Sequence, residues 1–138
     1  YQKTSGGAWT NITPITMSVN IVVAAKCKVD AFSLAFGNYN PFVGALVRTS
    51  TVNVYCTKGT TATSITLDNG ANWSGSTRRM ISGANYLNYT ASLSATSATA
   101  TATQTPILNG ITLTGTITAG QDPPVGSYID TLQVTVNY

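Results

Sequence analysis

The stretch that most restricts the fold of this chain is ITMSVNIVV, residues 15–23. Every second side chain in it is apolar, and the side chains between them are polar except for Val22. Strict alternation over this length is typical of a β-strand with one buried face rather than of a helix. The stretch therefore predicts a strand that packs an apolar face on another surface. That face consists of Ile15, Met17, Val19, Ile21 and Val23.

The same alternation recurs along the chain, with turn residues between the repeats. Residues 47–56 alternate, a strand ends at Asp68-Asn69-Gly70, and residues 76–93 form two strands broken at 82–85. A strand pair is predicted after Pro106, and an Ala/Thr/Ser tract at 94–105 is either an exposed loop or a flat strand. Helical periodicity is nearly absent. Several short strands at this spacing predict a single all-β domain, an antiparallel sandwich of immunoglobulin-like type.

Composition points to a protein that assembles or works outside the cell. Charged residues make up 8% of the chain, against about 25% in a typical soluble domain. Such a neutral, Thr- and Ser-rich surface repels copies of itself poorly. No apolar run has the length of a membrane helix. Because Tyr1 is not an initiator methionine, we interpret the sequence as a mature form from which an export signal was removed.

Two cysteines, Cys27 and Cys56, are the only ones in the sequence, and there is no histidine. A zinc site is therefore not expected, because the usual four Cys and His ligands are missing. In an exported protein the pair is expected to form a disulfide. Two reduced, buried thiols are the alternative that the residues leave open.

The sequence offers little material for catalysis or for nucleic-acid binding. It has no His and no Glu, and its four Asp residues are dispersed, so we expect no enzyme, no catalytic residues, no metal and no cofactor. Asp130 is interpreted as a cap for turn amides or a partner of the Tyr128 hydroxyl, and Tyr128 as the residue of a tyrosine corner. The basic residues are scattered, and Arg78-Arg79 is interpreted as a solvated loop pair. No nucleic-acid partner is expected.

The two ends of the sequence raise the question of how the sandwich closes. The stretch 128–138 alternates, with one face made of Leu132, Val134, Val136 and Tyr138. If it is the penultimate strand of the immunoglobulin-like template, the last strand is missing and these side chains edge an open apolar groove. The strand at 15–23 matches the missing element. Only Ala24, Ala25 and Lys26 separate it from Cys27, with no turn residue to reverse the chain.

Two interpretations of that first strand remain on the residues alone. It projects into the groove of another copy, or it lengthens the first strand of a monomeric sandwich. Projection is a heterologous contact that propagates into open filaments. The proposed division is an N-terminal extension, residues 1–24, with a donor strand at about 14–24, followed by an incomplete immunoglobulin-like domain, residues 25–138.

Four stretches of the sequence resemble the spore coat protein U domain family, which includes subunits of archaic chaperone–usher pili. They are LAFGNYNP (34–41), VNVYCTKG (52–59), the segment around RRMISGANYLNY (78–89) and AGQDPPVGSYIDTLQVTVNY (119–138). The Cys27 and Cys56 pair also falls where the disulfide of that family lies. The opening YQKTSGGAWTN is interpreted as an added linker or brace between subunits.

The resemblance implies a structural pilin that polymerises by donor-strand exchange. Its partners would be identical or related pilins in a homopolymer, a periplasmic chaperone that lends a strand to the groove, and an outer-membrane usher. Ile15, Met17, Val19, Ile21 and Val23 would fill the groove of the next subunit. The product would be an extracellular, cell-surface pilus that supports adhesion and biofilm formation. The alternative is a secreted monomeric module of the same fold that binds carbohydrate or a surface.

Overall fold

The computed structural model describes residues 14–138 in full and, before them, the backbone of Gln2–Lys3, Gly6 and Trp9–Thr10. In chain order the strands are β1 (Gln2–Lys3), β2 (Trp9–Thr10), β3 (Cys27–Val29), β4 (Leu46–Val52), β5 (Val54–Cys56), β6 (Thr61–Ala62), β7 (Ser64–Leu67), β8 (Arg78–Ser82), β9 (Asn85–Leu93), β10 (Ala98–Thr99), β11 (Ile111–Ile117) and β12 (Val134–Asn137). Strands β1 and β2 pair antiparallel. The interpretation of residues 1–11 as a linker or brace otherwise lies outside the described residues.

One layer of the structure is a four-stranded antiparallel sheet in the order β4-β11-β9-β8. Its central strand β11 pairs with β4 from Ile111↔Val52 to Ile117↔Leu46 and with β9 on its other side. The hairpin β8–β9 closes at Gly83-Ala84, where Gly83 has a φ of 58° that favours glycine. This turn lies inside the break that the sequence predicted at 82–85.

The opposite layer consists of strand pairs. Strand β3 pairs with β5, β7 pairs with β12, and β6 pairs with β10, all antiparallel. The chain passes from the first layer to the second at Asn53, between β4 and β5. Apolar side chains from both layers form the core, and the most deeply buried are Val52, Val54, Ile65, Ile111, Leu113 and Ile117. The prediction of an all-β, immunoglobulin-like antiparallel sandwich is confirmed.

The structure contains the disulfide between Cys27 and Cys56, which directly face each other in the β3–β5 ladder with a Cα–Cα distance of 4.1 Å. Closing a loop of about 30 residues stabilises a fold by roughly 3–4 kcal/mol in the chain-entropy model. The disulfide thus fixes the short strand β3 to the core.

The prediction of a strand pair after Pro106 is wrong for the residues that precede Ile111. Residues Ile107–Asn109 form a 3-10 turn, and Leu108 and Asn109 adopt positive φ values of 56° and 54°. The side chain of Ile107 is buried there, and Gly110, with a φ of 99°, follows the turn. Strand β11 begins only at Ile111. In the Ala/Thr/Ser tract, β10 forms and Ala100 is buried.

The break in alternation at Gly115 has a packing cause. Gly115 lies in the middle of β11 on the core face, and a Cβ at this position would lie 2.7 Å from Cζ of Phe36 and closer still to Leu34. The missing side chain leaves room for two side chains from the segment after β3. That segment is thereby held close against the four-stranded sheet.

No helix in the part of the chain that the structure describes is long and apolar enough to cross a membrane.

Candidate functional site

A groove separates two segments of the second layer. One segment is β3 together with the residues directly after it, and the other is the stretch that leads into β12. Strands β3 and β12 are close neighbours in the second layer. Each is hydrogen-bonded on its other side, β3 to β5 and β12 to β7, and no ladder joins the two in the part of the chain that the structure describes. Beyond β3, the facing edges of residues 31–36 and 128–133 therefore present main-chain groups that an additional strand can pair with.

The first wall of the groove is the segment 31–36, which has the side-chain pattern of a strand without the pairing of one. Phe32 and Leu34 are half-buried and Phe36 is buried, whereas the side chains between them are exposed. Within residues 14–138, no backbone–backbone hydrogen bond involves 31–36. This wall was not predicted as part of a site from the sequence, although the alternation in FSLAF is a signal that could have located it.

The second wall is the stretch 128–136, and its inward side chains are incompletely covered. Tyr128, Asp130, Leu132, Val134 and Val136 are all half-buried. By contrast, the inward side chains of β11 in the opposite layer are at most 1% exposed. Three of the four predicted groove-edge residues lie on this wall, and the fourth, Tyr138, is 52% exposed at its end.

Between the walls lies a cavity of about 330 Å³, which we call the groove cavity. Phe32, Leu34 and Phe36 line it on one side and Leu132 on the other, while Met80 and Tyr89 contribute to its lining from the four-stranded sheet. Met80 and Tyr89 were not identified from the sequence, because their position under the groove depends on how the two layers stack. Ser33, Asp130 and Thr131 also line the groove cavity, so its lining is mixed but more apolar than polar. An open cavity of this kind is suited to receive apolar side chains.

The carboxylate of Asp130 accepts three hydrogen bonds that hold the second wall. Its Oδ1 accepts hydrogen bonds from the backbone N–H of Asn72 at 3.1 Å and from the Asn72 side-chain amide at 2.9 Å. Its Oδ2 accepts one from the Tyr89 hydroxyl at 2.6 Å. The interpretation of Asp130 as a cap for turn amides is confirmed. The alternative partner, Tyr128, instead donates its hydroxyl to the Pro124 carbonyl at 2.8 Å, as a tyrosine-corner residue does.

Burial of the Tyr89 ring, and secondarily its hydrogen bond to Asp130, raises the pKa of the Tyr89 hydroxyl above the ordinary value of 10.0. The folded state therefore keeps this proton to higher pH than the unfolded chain does. The stabilisation is complete below about pH 10 and decreases as the pH rises above it.

We expect Tyr89→Phe to lower the free energy of unfolding by about 1–3 kcal/mol at neutral pH, because one Asp130 oxygen loses its donor. The difference from the unmodified protein should shrink above about pH 10. Urea unfolding at several pH values measures both effects. Tyr86→Phe is the matched control, since Tyr86 lies on the same strand and is 46% exposed. Equal losses in the two variants would contradict the role assigned to Tyr89.

The interpretation of Arg78-Arg79 as a solvated loop pair is wrong. Both residues lie in β8 and are half-buried. Arg78 donates to the Asp68 carbonyl at 3.0 and 2.6 Å and to the Ala91 carbonyl at 3.2 Å. Arg79 donates to the Asn72 carbonyl at 3.1 Å and stacks over the Tyr86 ring. Adjacent strand residues face opposite sides of a sheet, so the two guanidinium groups satisfy separate sets of carbonyls.

The predicted donor strand is exposed along its whole length. Ile15 is 96% exposed, Met17 80% and Ile21 88%, and Val19 and Val23 are similarly exposed. Within residues 14–138, the segment 14–23 makes no hydrogen bond, and the first hydrogen bond to the domain is the one that the Thr57 hydroxyl donates to the Ala24 carbonyl. The alternation predicts a strand here, but no ladder forms, because a β-strand requires a partner and this segment pairs with none of its own described residues.

The structure thus places the predicted residues in two separate groups. Of the predicted groove-edge residues, Leu132 lines the groove cavity, whereas none of the five apolar side chains of the exposed segment does. Within the described residues, no group of three or more Cys, Asp or Glu side chains is arranged to hold a metal ion.

The model of the Spore Coat Protein U domain matches residues 13–135, which is nearly the whole chain. No curated protein matches the chain.

Proposed function

Since this chain belongs to the Spore Coat Protein U domain family, whose members are surface or pilus-type subunits, we propose that it is a structural pilin that polymerises by donor-strand exchange. The observation that carries this proposal is the coexistence, in one chain, of an unpaired apolar groove and an unpaired apolar strand. In the proposed assembly, the segment 14–24 of one copy, which we call the donor arm, completes the body of the next copy, residues 25–138.

The dimensions of the two parts agree. The apolar positions of the donor arm run from Ile15 to Val23, and the inward positions of the second wall run from Tyr128 to Val136. Both stretches cover eight residue steps, or about 27 Å of extended chain. Each has five side chains on the relevant face. A strand laid in the groove therefore brings one arm side chain opposite each inward wall position.

Burial of the arm supplies the driving force. Side chains of this kind each contribute about 1.5–3 kcal/mol when they are transferred from water to an apolar site, or roughly 7–15 kcal/mol for five before ordering costs. Main-chain hydrogen bonds to both groove edges add to this, as in other cases of β-strand addition. The contact is heterologous, so it repeats into a filament rather than closing as a dimer.

The same groove has to be protected before assembly. A periplasmic chaperone that lends a strand fits this need, and an outer-membrane usher is the place where the donor arm of the next copy replaces that strand. The assembled filament is then an extracellular pilus that serves adhesion and biofilm formation. The disulfide and the low charge of the chain support a location outside the cytoplasm.

The test is the size and shape of the purified, refolded full-length chain. We expect a ladder of multimers that resists detergent without heating, and filaments in negative-stain electron microscopy, both increasing with protein concentration. A discrete monomer at every concentration would contradict polymerisation and would favour a monomeric surface-binding module.

A further inference from the structure

An exposed apolar surface lies at one end of the groove, beyond Tyr128. A second cavity of about 750 Å³ opens here, which we call the end cavity. Two loops line its mouth, and their most exposed apolar side chains are Phe42, at 95%, and Val125. We call Phe42, Pro124 and Val125 the end patch.

Hydrogen bonds hold both loops of the end patch in place. The Asn40 side chain accepts from the Phe42 N–H at 2.9 Å, and the Asn40 carbonyl accepts from the Val43 N–H at 3.1 Å, so a turn presents Phe42 to solvent. On the other loop, the Tyr128 hydroxyl donates to the Pro124 carbonyl. A fixed, exposed apolar patch is typical of an interaction site.

The end patch is continuous with the groove. Leu34, Phe36, Met80 and Tyr128 line both the groove cavity and the end cavity. A strand that occupies the groove therefore leaves it, at this end, directly beside Phe42 and Val125.

In its own chain, the donor arm continues directly into the residues around Lys26, Thr57 and Lys58. We call these residues the base of the body. The Lys26 N–H donates to the Thr57 hydroxyl at 3.1 Å, and the Thr57 N–H donates to the Lys26 carbonyl at 2.9 Å. Only Ala24 and Ala25 separate Val23 from Lys26, so the base lies within about 10 Å of the end of the arm. An inserted arm brings its own base against one end of the acceptor.

The charged side chains at the two ends of the acceptor groove indicate which end receives the base of the donor. The base carries Lys26 and Lys58, whereas the one charged side chain among the described residues that line the end cavity is Asp122. With the C-terminal end of the arm at the end cavity, lysines meet an aspartate. In the opposite direction the base of the donor would meet the base of the acceptor, which places like charges together.

We propose that the end patch is the docking surface for the base of the neighbouring copy of this chain. This inference rests on the proposed donor-strand polymerisation and adds to it a direct contact between bodies. The donor arm then runs antiparallel to the stretch 128–137, and Phe42 and Val125 pack against the residues around Lys26 and Lys58. Such a contact limits the bending of the filament at each joint, which the arm alone does not.

Photo-crosslinking in assembled filaments tests the proposal. A photoreactive phenylalanine analogue at position 42 should give covalent dimers, and the cross-linked peptide should contain residues 24–28 or 57–58 of the second copy. The same analogue at Val47, which is 50% exposed on the outer sheet face, is the matched control and should give no link to those peptides. Filaments that show no link from position 42, or a link to any other segment, overturn the inference while leaving donor-strand polymerisation intact. Absence of filaments from the unmodified chain contradicts polymerisation itself.

A charge exchange gives an independent measurement. Asp122→Lys should lower the yield of the position-42 cross-link by about two- to fivefold, as expected for an exposed ion pair. Adding Lys26→Asp and Lys58→Asp to that variant should restore the yield. An unchanged yield in Asp122→Lys, or failure of the combined variant to recover, contradicts the assigned direction of the arm.

Discussion

Replacing Met17 and Ile21 together by aspartate is expected to abolish polymerisation while leaving the body folded. Both side chains are exposed in the unassembled chain, so the change removes no described contact there. In the assembled state it removes about 3–6 kcal/mol of apolar burial and adds the cost of placing two carboxylates in an apolar groove. Because 1.4 kcal/mol corresponds to a factor of ten, association should weaken by more than about 1,000-fold.

The matched control for this variant changes the other face of the same segment. Ser18→Asp with Asn20→Asp adds the same charge to the donor arm at positions that alternate with the apolar ones. These side chains face away from the groove in the proposed complex, so filaments should still form. Sedimentation and electron microscopy measure both variants. Normal filament yield from the Met17 and Ile21 variant, or loss of filaments from both, would refute face-specific insertion of the arm.

Supplying the donor arm within the same chain is expected to produce a stable monomer. A second copy of residues 14–24, joined after Tyr138 by a linker of about four residues, can turn back along β12 as a hairpin. It would fill the groove and block access by other copies. A net gain of about 3–5 kcal/mol would raise the melting temperature by roughly 10 °C, since each kcal/mol corresponds to about 2–4 °C for a domain of this size.

Linker length also reports the direction of the inserted strand. An arm that runs parallel to β12 has to begin at the far end of the groove, about 27 Å away, which requires at least about eight linker residues. We therefore expect the short linker to suffice, and calorimetry with size-exclusion chromatography measures the outcome. The control carries aspartate at the appended positions equivalent to Met17 and Ile21. Equal melting temperatures for the appended chain and this control would show that the groove does not accept the arm.

Several features of the fold arise from local pattern. Alternation and turn residues predicted the β8–β9 hairpin and the end of β7 before Asp68-Asn69-Gly70, because these depend on side-chain period and glycine conformation within a few residues. Residues 47–56 alternate as the sequence indicated, and Val52, Val54 and Cys56 on one face of that stretch are buried. Local pattern failed directly after Pro106, where Ile107–Asn109 form a turn with Ile107 buried in the core.

Other features depend on contacts between residues far apart in the sequence. From the sequence, Arg78 and Arg79 were interpreted as a solvated pair. In the fold, their guanidinium groups donate hydrogen bonds to the carbonyls of Asp68, Ala91 and Asn72. In the same way, Gly115 is explained only by Leu34 and Phe36, which approach it from a different strand region. Neither set of partners has any signal in the neighbouring sequence, because their proximity is set by how the layers stack.

The sequence by itself determined that this chain is an all-β sandwich and that residues 15–23 have one apolar face, since both properties reside in the period of the side chains. Only the tertiary structure decided which edges remain unpaired, that Phe32, Leu34 and Phe36 form one wall of the groove, and that the groove continues into the end cavity. The physical reason is that alternation specifies which side chains form an apolar face. Hydrogen-bonded pairing and layer packing between distant segments determine which of those side chains remain incompletely buried.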